Sequence, residues 1–182
     1  MQLVNTAQRW GLVTVVIHWL TAVTVVSMFV LGLWMVDLDY YNRWYQTAPW
    51  VHKSTGILLL IVTLARLGWR LLNATPAPLA NHTAFENRAA KLAHALIYVL
   101  LFSMMLSGYL ISTADGRPIE VFDLFRVPAT LHGIDKQEDI AGEVHLVLAI
   151  MLMLLVSVHA LAAIKHHVVD RDATLLRMLG KI

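Results

Sequence analysis

Four stretches of this chain run long enough with little or no charge to cross a lipid bilayer, and that leaves few folds open. A hydrocarbon core of ~30 Å takes about 20 apolar residues as a helix. The runs cover about 10–36, 50–72, 90–112 and 142–165. Within the first, third and fourth, no charged residue interrupts 11–36, 92–111 or 144–164. The second carries Lys53, Arg66 and Arg70, all towards its ends, where long cationic side chains reach the interface. Only 14% of residues are charged and 58% are hydrophobic, against roughly 25% charged in an ordinary soluble domain. The expected fold is therefore all-α, a four-helix transmembrane bundle, with residues 1–182 forming a single membrane domain.

The first run exceeds the ~7–15-residue apolar core of a signal peptide, and no small-residue cleavage site follows it, so it is expected to remain as helix one. The connection over 112–141 contains "DGRP" and "VPATLHGID", which read as turns. With the N-terminus inside, nine Lys and Arg residues fall on the inner side and five (Arg43, Lys53, Arg117, Arg126, Lys136) on the outer. That excess predicts both termini in the cytoplasm.

The chain has no cysteine, which excludes disulfides, thiolate-held iron–sulfur clusters and covalently attached haem. It has nine histidines, and their depth matters more than their number. His82 and His132 fall in connections and are expected to be ordinary solvated residues, and His166 and His167 lie just past the fourth span. Five histidines remain inside spans: His18, His52, His94, His145 and His159. An ionisable side chain there is costly and faces the bundle interior with a partner or ligand. His145 and His159 are separated by 159 − 145 = 14 residues, which is about 21 Å of helix and close to four full turns, so they share a face.

At the outer level His52 is the available partner for His145; at the inner level His159 can meet His18 or His94, and spacing leaves both open. Two facing imidazoles at each of two depths make a bis-histidine site for a flat metallo-macrocycle, with haem the obvious occupant. Zinc prefers four tetrahedral ligands and copper recruits sulfur, so neither suits two ligands per level. With both axial positions filled, electron transfer is expected rather than oxygen binding. The competing reading is that these imidazoles only hydrogen-bond between helices.

Gly56, Gly142, Ala162 and Ala163 lie on the histidines' own helical faces, where a porphyrin needs room. Arg66, and less so Arg70, could neutralise a haem propionate. His166, beside His167, is a candidate to hydrogen-bond a quinone carbonyl and supply a proton on reduction, and Trp69 lies near the same face.

The segments "IHWLTA", "VHKSTGILLLIVTLARLGWRL" followed by "TPAP", "LAHALIYVLLFSMMLSGYL" and "VHALAAIKHHVVDRDATLLRML" together span nearly the whole chain. In them the protein resembles the bacterial cytochrome b561 family of four-helix, di-haem membrane proteins, which includes a superoxide oxidase. The resemblance implies axial ligands from helices one, two and four, carried here by His18, His52, His145 and His159, with His18 and His159 as the inner pair. It gives His94 no axial role, leaving a propionate contact or a quinone pocket. It further implies two non-covalent haem b groups, ubiquinone as electron acceptor, the bacterial inner membrane, and an outer donor that is either superoxide or a periplasmic protein such as a dehydrogenase, hydrogenase or cytochrome. A haem-bearing anchor subunit and a haem-free transporter with a histidine proton relay are the alternatives; no nucleic-acid partner is expected. The outer segments hold nine acids against five bases, 5 − 9 = −4. That sign suits a cationic protein donor better than the superoxide anion, although Lys53, Arg117 and Arg126 could form a local basic funnel.

Overall fold

The computed structural model describes residues 2–181. Helices α1 (Leu12–Met35), α2 (Thr47–Leu72) and α3 (Ala84–Thr113) precede a two-stranded hairpin, β1 (Ile119–Val121) and β2 (Phe125–Val127). Helix α4 (Gln137–Val168) and the short α5 (Thr174–Met178) complete the chain. Among the described residues, four helices have the length and hydropathy to cross a membrane. The expected four-helix transmembrane fold is what the chain adopts.

Three helices start earlier than the apolar runs suggest, α2 by only three residues at Thr47, and polar capping explains α3. Thr83 and Glu86 form a capping box at the head of α3: Thr83 Oγ1 accepts from the Glu86 amide at 3.2 Å, and Glu86 Oε2 accepts from the Thr83 amide at 2.9 Å. The helix therefore begins at Ala84 rather than near 90. Helix α4 likewise begins at Gln137, whose side-chain amide donates to the carbonyls of Leu110 and Leu131 at 2.9 and 3.0 Å. A hydropathy pattern does not see these polar first turns.

Each of the four long helices contributes to two compact units. The first unit comprises residues up to Ala22, Val62–Tyr98 and the chain from Leu154 onward. Its joints are polar. Asn5 accepts from the Gly11 amide (2.9 Å) and the Thr14 hydroxyl (2.7 Å) and donates to the Ala74 carbonyl (3.0 Å). The Trp19 indole donates to the Met178 carbonyl at 2.7 Å, and Arg177 Nη1 donates to the Ala77 carbonyl at 2.9 Å, holding α5 against the chain that follows α2.

The second unit comprises Val23–Ile61 and Val99–Met153. Its hairpin pairs Ile119 with Val127 and Val121 with Phe125, antiparallel. Ile119 and Val121 pack with Ile57 of α2 in a small apolar core. Ser54, fully buried on α2, pins the hairpin from both sides: its hydroxyl donates to the Glu120 carbonyl (3.2 Å) and accepts from the Phe122 amide (3.1 Å). Phe122 and Asp123 at the tip take left-handed φ values of 46° and 57°, a conformation that costs a non-glycine residue free energy. Here the Ser54 bonds and the edge-on packing of Phe122 against Trp50, with centroids 5.2 Å apart, hold it in place. The connection read as turns thus contains a short, anchored sheet.

Burial differs from that of a water-soluble domain in how much large apolar surface stays outside, although apolar side chains such as Leu59 and Leu152 are buried. Leu154, Leu161, Val158 and Val23 are among many large apolar side chains that stay exposed, while Thr21, Ser54, Thr63, Ser107 and Thr113 are buried. In a bilayer the exposed apolar surface faces lipid, and small polar side chains let helix backbones approach closely.

Candidate cofactor sites

Metal–imidazole geometry supplies a ruler for the histidine pairs. With a metal–nitrogen bond of ~2.0 Å and ~1.1 Å from ring nitrogen to ring centre, two imidazoles on opposite sides of one metal have centroids ~6 Å apart. His52 and His145 have centroids 6.3 Å apart, and His18 and His159 have centroids 6.4 Å apart. His94 and His159 are 5.2 Å apart, too close for opposite axial positions on one iron. Each pair lies within a single unit: His52 and His145 in the second, and His18, His94 and His159 in the first.

In the second unit, α4 aims His145 by fixing one of its ring nitrogens. Nδ1 lies 2.9 Å from the Met104 carbonyl and 3.0 Å from Ser107 Oγ, whose own proton goes to the same carbonyl at 2.8 Å. A carbonyl can only accept, so Nδ1 carries the proton and Nε2 keeps a free lone pair. A bond of this kind is what orients an imidazole in proteins where it ligates a metal. His52 differs: its buried Nδ1 has no hydrogen-bond partner. An orphaned imidazole nitrogen away from water is costly, which fits a ring meant to engage something besides protein.

Glycines on the neighbouring helices make space for these rings. A methyl at Gly32 of α1 would stand 3.2 Å from Cε1 of His52, and one at Gly108 of α3 would stand 3.1 Å from Cε1 of His145. The glycines expected to make room lie elsewhere. A methyl at Gly56 meets only Met28 Cε at 3.8 Å, and one at Gly142 meets nothing within 4 Å. The relevant glycines oppose each histidine from another helix, a placement that spacing along one helix does not reveal.

In the first unit, Arg66 Nη2 lies 2.8 Å from His18 Nδ1. A guanidinium only donates, so this ring carries its proton on Nε2, the reverse of His145. Arg66 and Arg70 also lie over the Tyr98 ring, at 5.8 and 5.9 Å from its centroid. The expected propionate partner Arg66 is thus placed beside an expected axial ligand. His94 joins the same cluster through His159. The Trp69 indole donates to Thr14 Oγ1 at 3.1 Å and is engaged in holding α2 to α1.

His82 departs from expectation. Its side chain is only 15% exposed, and its Nε2 lies 2.8 Å from Asp172 Oδ2. Its ring lies 4.7 Å from that of His166, tilted by 33°. His166 Nδ1 lies 2.7 Å from Asp170 Oδ2 and 3.2 Å from Asp172 Oδ2. Burial works to raise the Asp172 carboxyl, but hydrogen bonds from Thr174 and His82 outweigh it and hold the group well below the ordinary carboxylate range. A connection residue such as His82 gives no sequence signal for this, because its partner lies 172 − 82 = 90 positions away. His132 is exposed, as expected, beside Gly116.

Two of the five basic residues expected on the outer side are paired with acids. Arg117 binds Asp115 at 2.5 Å and Arg126 binds Glu120 at 2.6 Å. Of the three cations in the expected funnel, two therefore have acidic partners.

Residues 9–181 match the family described as prokaryotic cytochrome b561. The chain is similar to "Cytochrome b561 homolog 2" of Escherichia coli (strain K12), with 48% identity over 181 residues, covering 100% of this chain and 96% of that relative. It is also similar to "Probable superoxide oxidase CybB" of Yersinia pestis, 30% identical across 96% of this chain and 97% of the relative. "Cytochrome b561 homolog 1" of Escherichia coli (strain K12) is 24% identical, with 95% and 98% covered.

Proposed function

Because the chain belongs to the prokaryotic cytochrome b561 family, and is thus a multi-pass, haem-binding electron-transfer protein of a bacterial membrane, we propose that it holds two haem b groups. His52 and His145 would hold one, and His18 and His159 the other. It sits in the inner membrane with both termini cytoplasmic and moves electrons between a periplasmic donor and ubiquinone. The observation that carries this reading is the matched separation of the two pairs, 6.3 and 6.4 Å, against 5.2 Å for His94 and His159.

When bound, each haem would supply a reversible one-electron couple with no open position for dioxygen. The remaining work falls to the chain. Met104 and Ser107 hold the proton on His145 Nδ1 and leave Nε2 free to ligate. Gly32 and Gly108 let the rings of His52 and His145 lie close to α1 and α3. Arg66 would have to release His18 Nδ1 for His18 to present an unprotonated Nε2, and its guanidinium would then be free to pair with an anionic propionate. His166 and His94 are the candidates on this side to hydrogen-bond a quinone.

Two donors remain in view. The relative named as a probable superoxide oxidase favours superoxide; the acidic excess of 5 − 9 = −4 and the paired Arg117 and Arg126 favour a cationic periplasmic protein, with this chain as its haem-bearing anchor. Purified protein assayed with xanthine oxidase and ubiquinone separates them. Superoxide-driven quinone reduction above the spontaneous rate establishes the oxidase, and its absence leaves the anchor. A reduced-minus-oxidised spectrum without a b-type band would overturn both.

A further inference from the structure

The group formed by His82, His166 and Asp172 has the form of a cation site. It joins three segments of the first unit: the connection between α2 and α3, the last turn of α4, and the chain leading into α5. His82 Nε2 and His166 Nδ1 converge on one oxygen, Asp172 Oδ2, at 2.8 and 3.2 Å. The ligating atoms of all three residues lie within 4.8 Å of one another. Ligands bound at ~2.0–2.1 Å with angles between octahedral and tetrahedral values stand about 2.9–3.4 Å apart, close to both contacts. By the ruler used above, two imidazoles at such angles have centroids ~4.5–5.1 Å apart; these two are 4.7 Å apart.

Hydrogen bonding accounts for His82, whose Nε2 lies 2.8 Å from Asp172 Oδ2 and 3.4 Å from Thr174 Oγ1, but not for His166. His166 Nδ1 is buried and lies near two carboxylate oxygens, yet it makes no properly directed hydrogen bond to either. The Asp172 side chain is only 5% exposed, and both of its oxygens are held: Oδ1 accepts the Thr174 amide at 2.8 Å, while Oδ2 faces the two rings. Asp170, which lies beside His166 and is paired with Lys165 at 2.7 Å, or a water can complete the set.

We propose that His82, His166 and Asp172 bind one divalent ion of the zinc class, which takes two imidazoles and a carboxylate and leaves a fourth position open. The ion ties the α2–α3 connection to the end of α4. It is separate from the proposed haem ligands, and nothing in the haem assignment depends on it; it takes His166 Nδ1, so a quinone contact by His166 would fall to Nε2.

Equilibrium dialysis of tag-free, chelator-stripped, haem-loaded protein against zinc, with metal measured by mass spectrometry, tests the site. One tight equivalent is expected in the wild type. It should weaken by at least about tenfold in His82→Ala and in Asp172→Asn, and it should persist in His132→Ala, whose ring lies in the other unit. No stoichiometric zinc in the wild type, or an unchanged equivalent in both site variants, overturns the proposal. Should either variant fail to fold, X-ray absorption at the zinc edge of the wild type decides instead. Two imidazoles with oxygen neighbours support the site, whereas a zinc shell with fewer than two imidazoles overturns it.

Discussion

At the scale of single residues, the imidazole pairs predict haem content. His52→Ala or His145→Ala should lower the pyridine-haemochrome stoichiometry from about two haems per chain to about one, since a haem with one strong axial ligand missing is held far more weakly. His94→Ala should keep both, because its 5.2 Å approach to His159 is not an axial spacing. Loss of a haem in His94→Ala together with its retention in His18→Ala would reverse the assignment. Arg66 carries a second prediction. Even after releasing His18 Nδ1, a guanidinium paired beside that haem would disfavour the more positive, oxidised iron, so Arg66→Ala should lower one midpoint potential by tens of millivolts and leave the other unmoved. A redox titration followed in the visible bands reads both values. The five histidines inside spans, four of them the proposed haem ligands, are legible because a histidine in an apolar run is conspicuous. The inner choice between His18 and His94 was open by spacing and rested on family resemblance; the ring separations address it by a physical measure.

At the scale of elements, helix existence was legible and helix ends were not. Apolar runs report the part of a helix that faces lipid, whereas Thr83 with Glu86, and Gln137, extend α3 and α4 into polar turns that hydropathy misses. The hairpin escaped for another reason. Its strands are three residues each, and its stability comes from Ser54 on α2, 66 positions away from Glu120. Contacts between helices also decide which glycines matter, and this gives a paired prediction. Replacing an unconstrained helical glycine by alanine stabilises by roughly 0.5–1 kcal/mol through backbone entropy. Gly142→Ala, with nothing within 4 Å of the new methyl, should show that gain as a higher melting temperature. Gly108→Ala should not, because its methyl stands 3.1 Å from the His145 ring and forces it to shift. Weaker haem retention and an altered b-band spectrum, without a stability gain, are expected for that variant alone.

At the scale of the whole molecule, charge distribution bears on the electron donor. The segments expected outside the membrane sum to 5 − 9 = −4, and exposed pairs such as Arg117 with Asp115 and Arg126 with Glu120 leave little unpaired positive charge there beyond Lys53, Arg43 and Lys136. Such a surface attracts a cationic protein and repels a small anion, and salt screens both effects over a Debye length of about 10 Å at 0.1 M. The two donors therefore predict opposite slopes. Reduction by a basic cytochrome should slow several-fold as sodium chloride rises from about 20 to about 500 mM, because screening removes the steering that speeds encounter. Reduction by superoxide should stay level or quicken over the same range, since screening lifts a repulsion. Stopped-flow traces of haem reduction in proteoliposomes, with the connection between α3 and α4 facing the bulk solution, read the slope directly. A superoxide rate that falls with salt would mean that Lys53 and its neighbours create a local positive field strong enough to override the net charge. In that case the oxidase reading would gain the funnel that the ion pairs argue against, and Lys53→Ala should abolish the salt dependence.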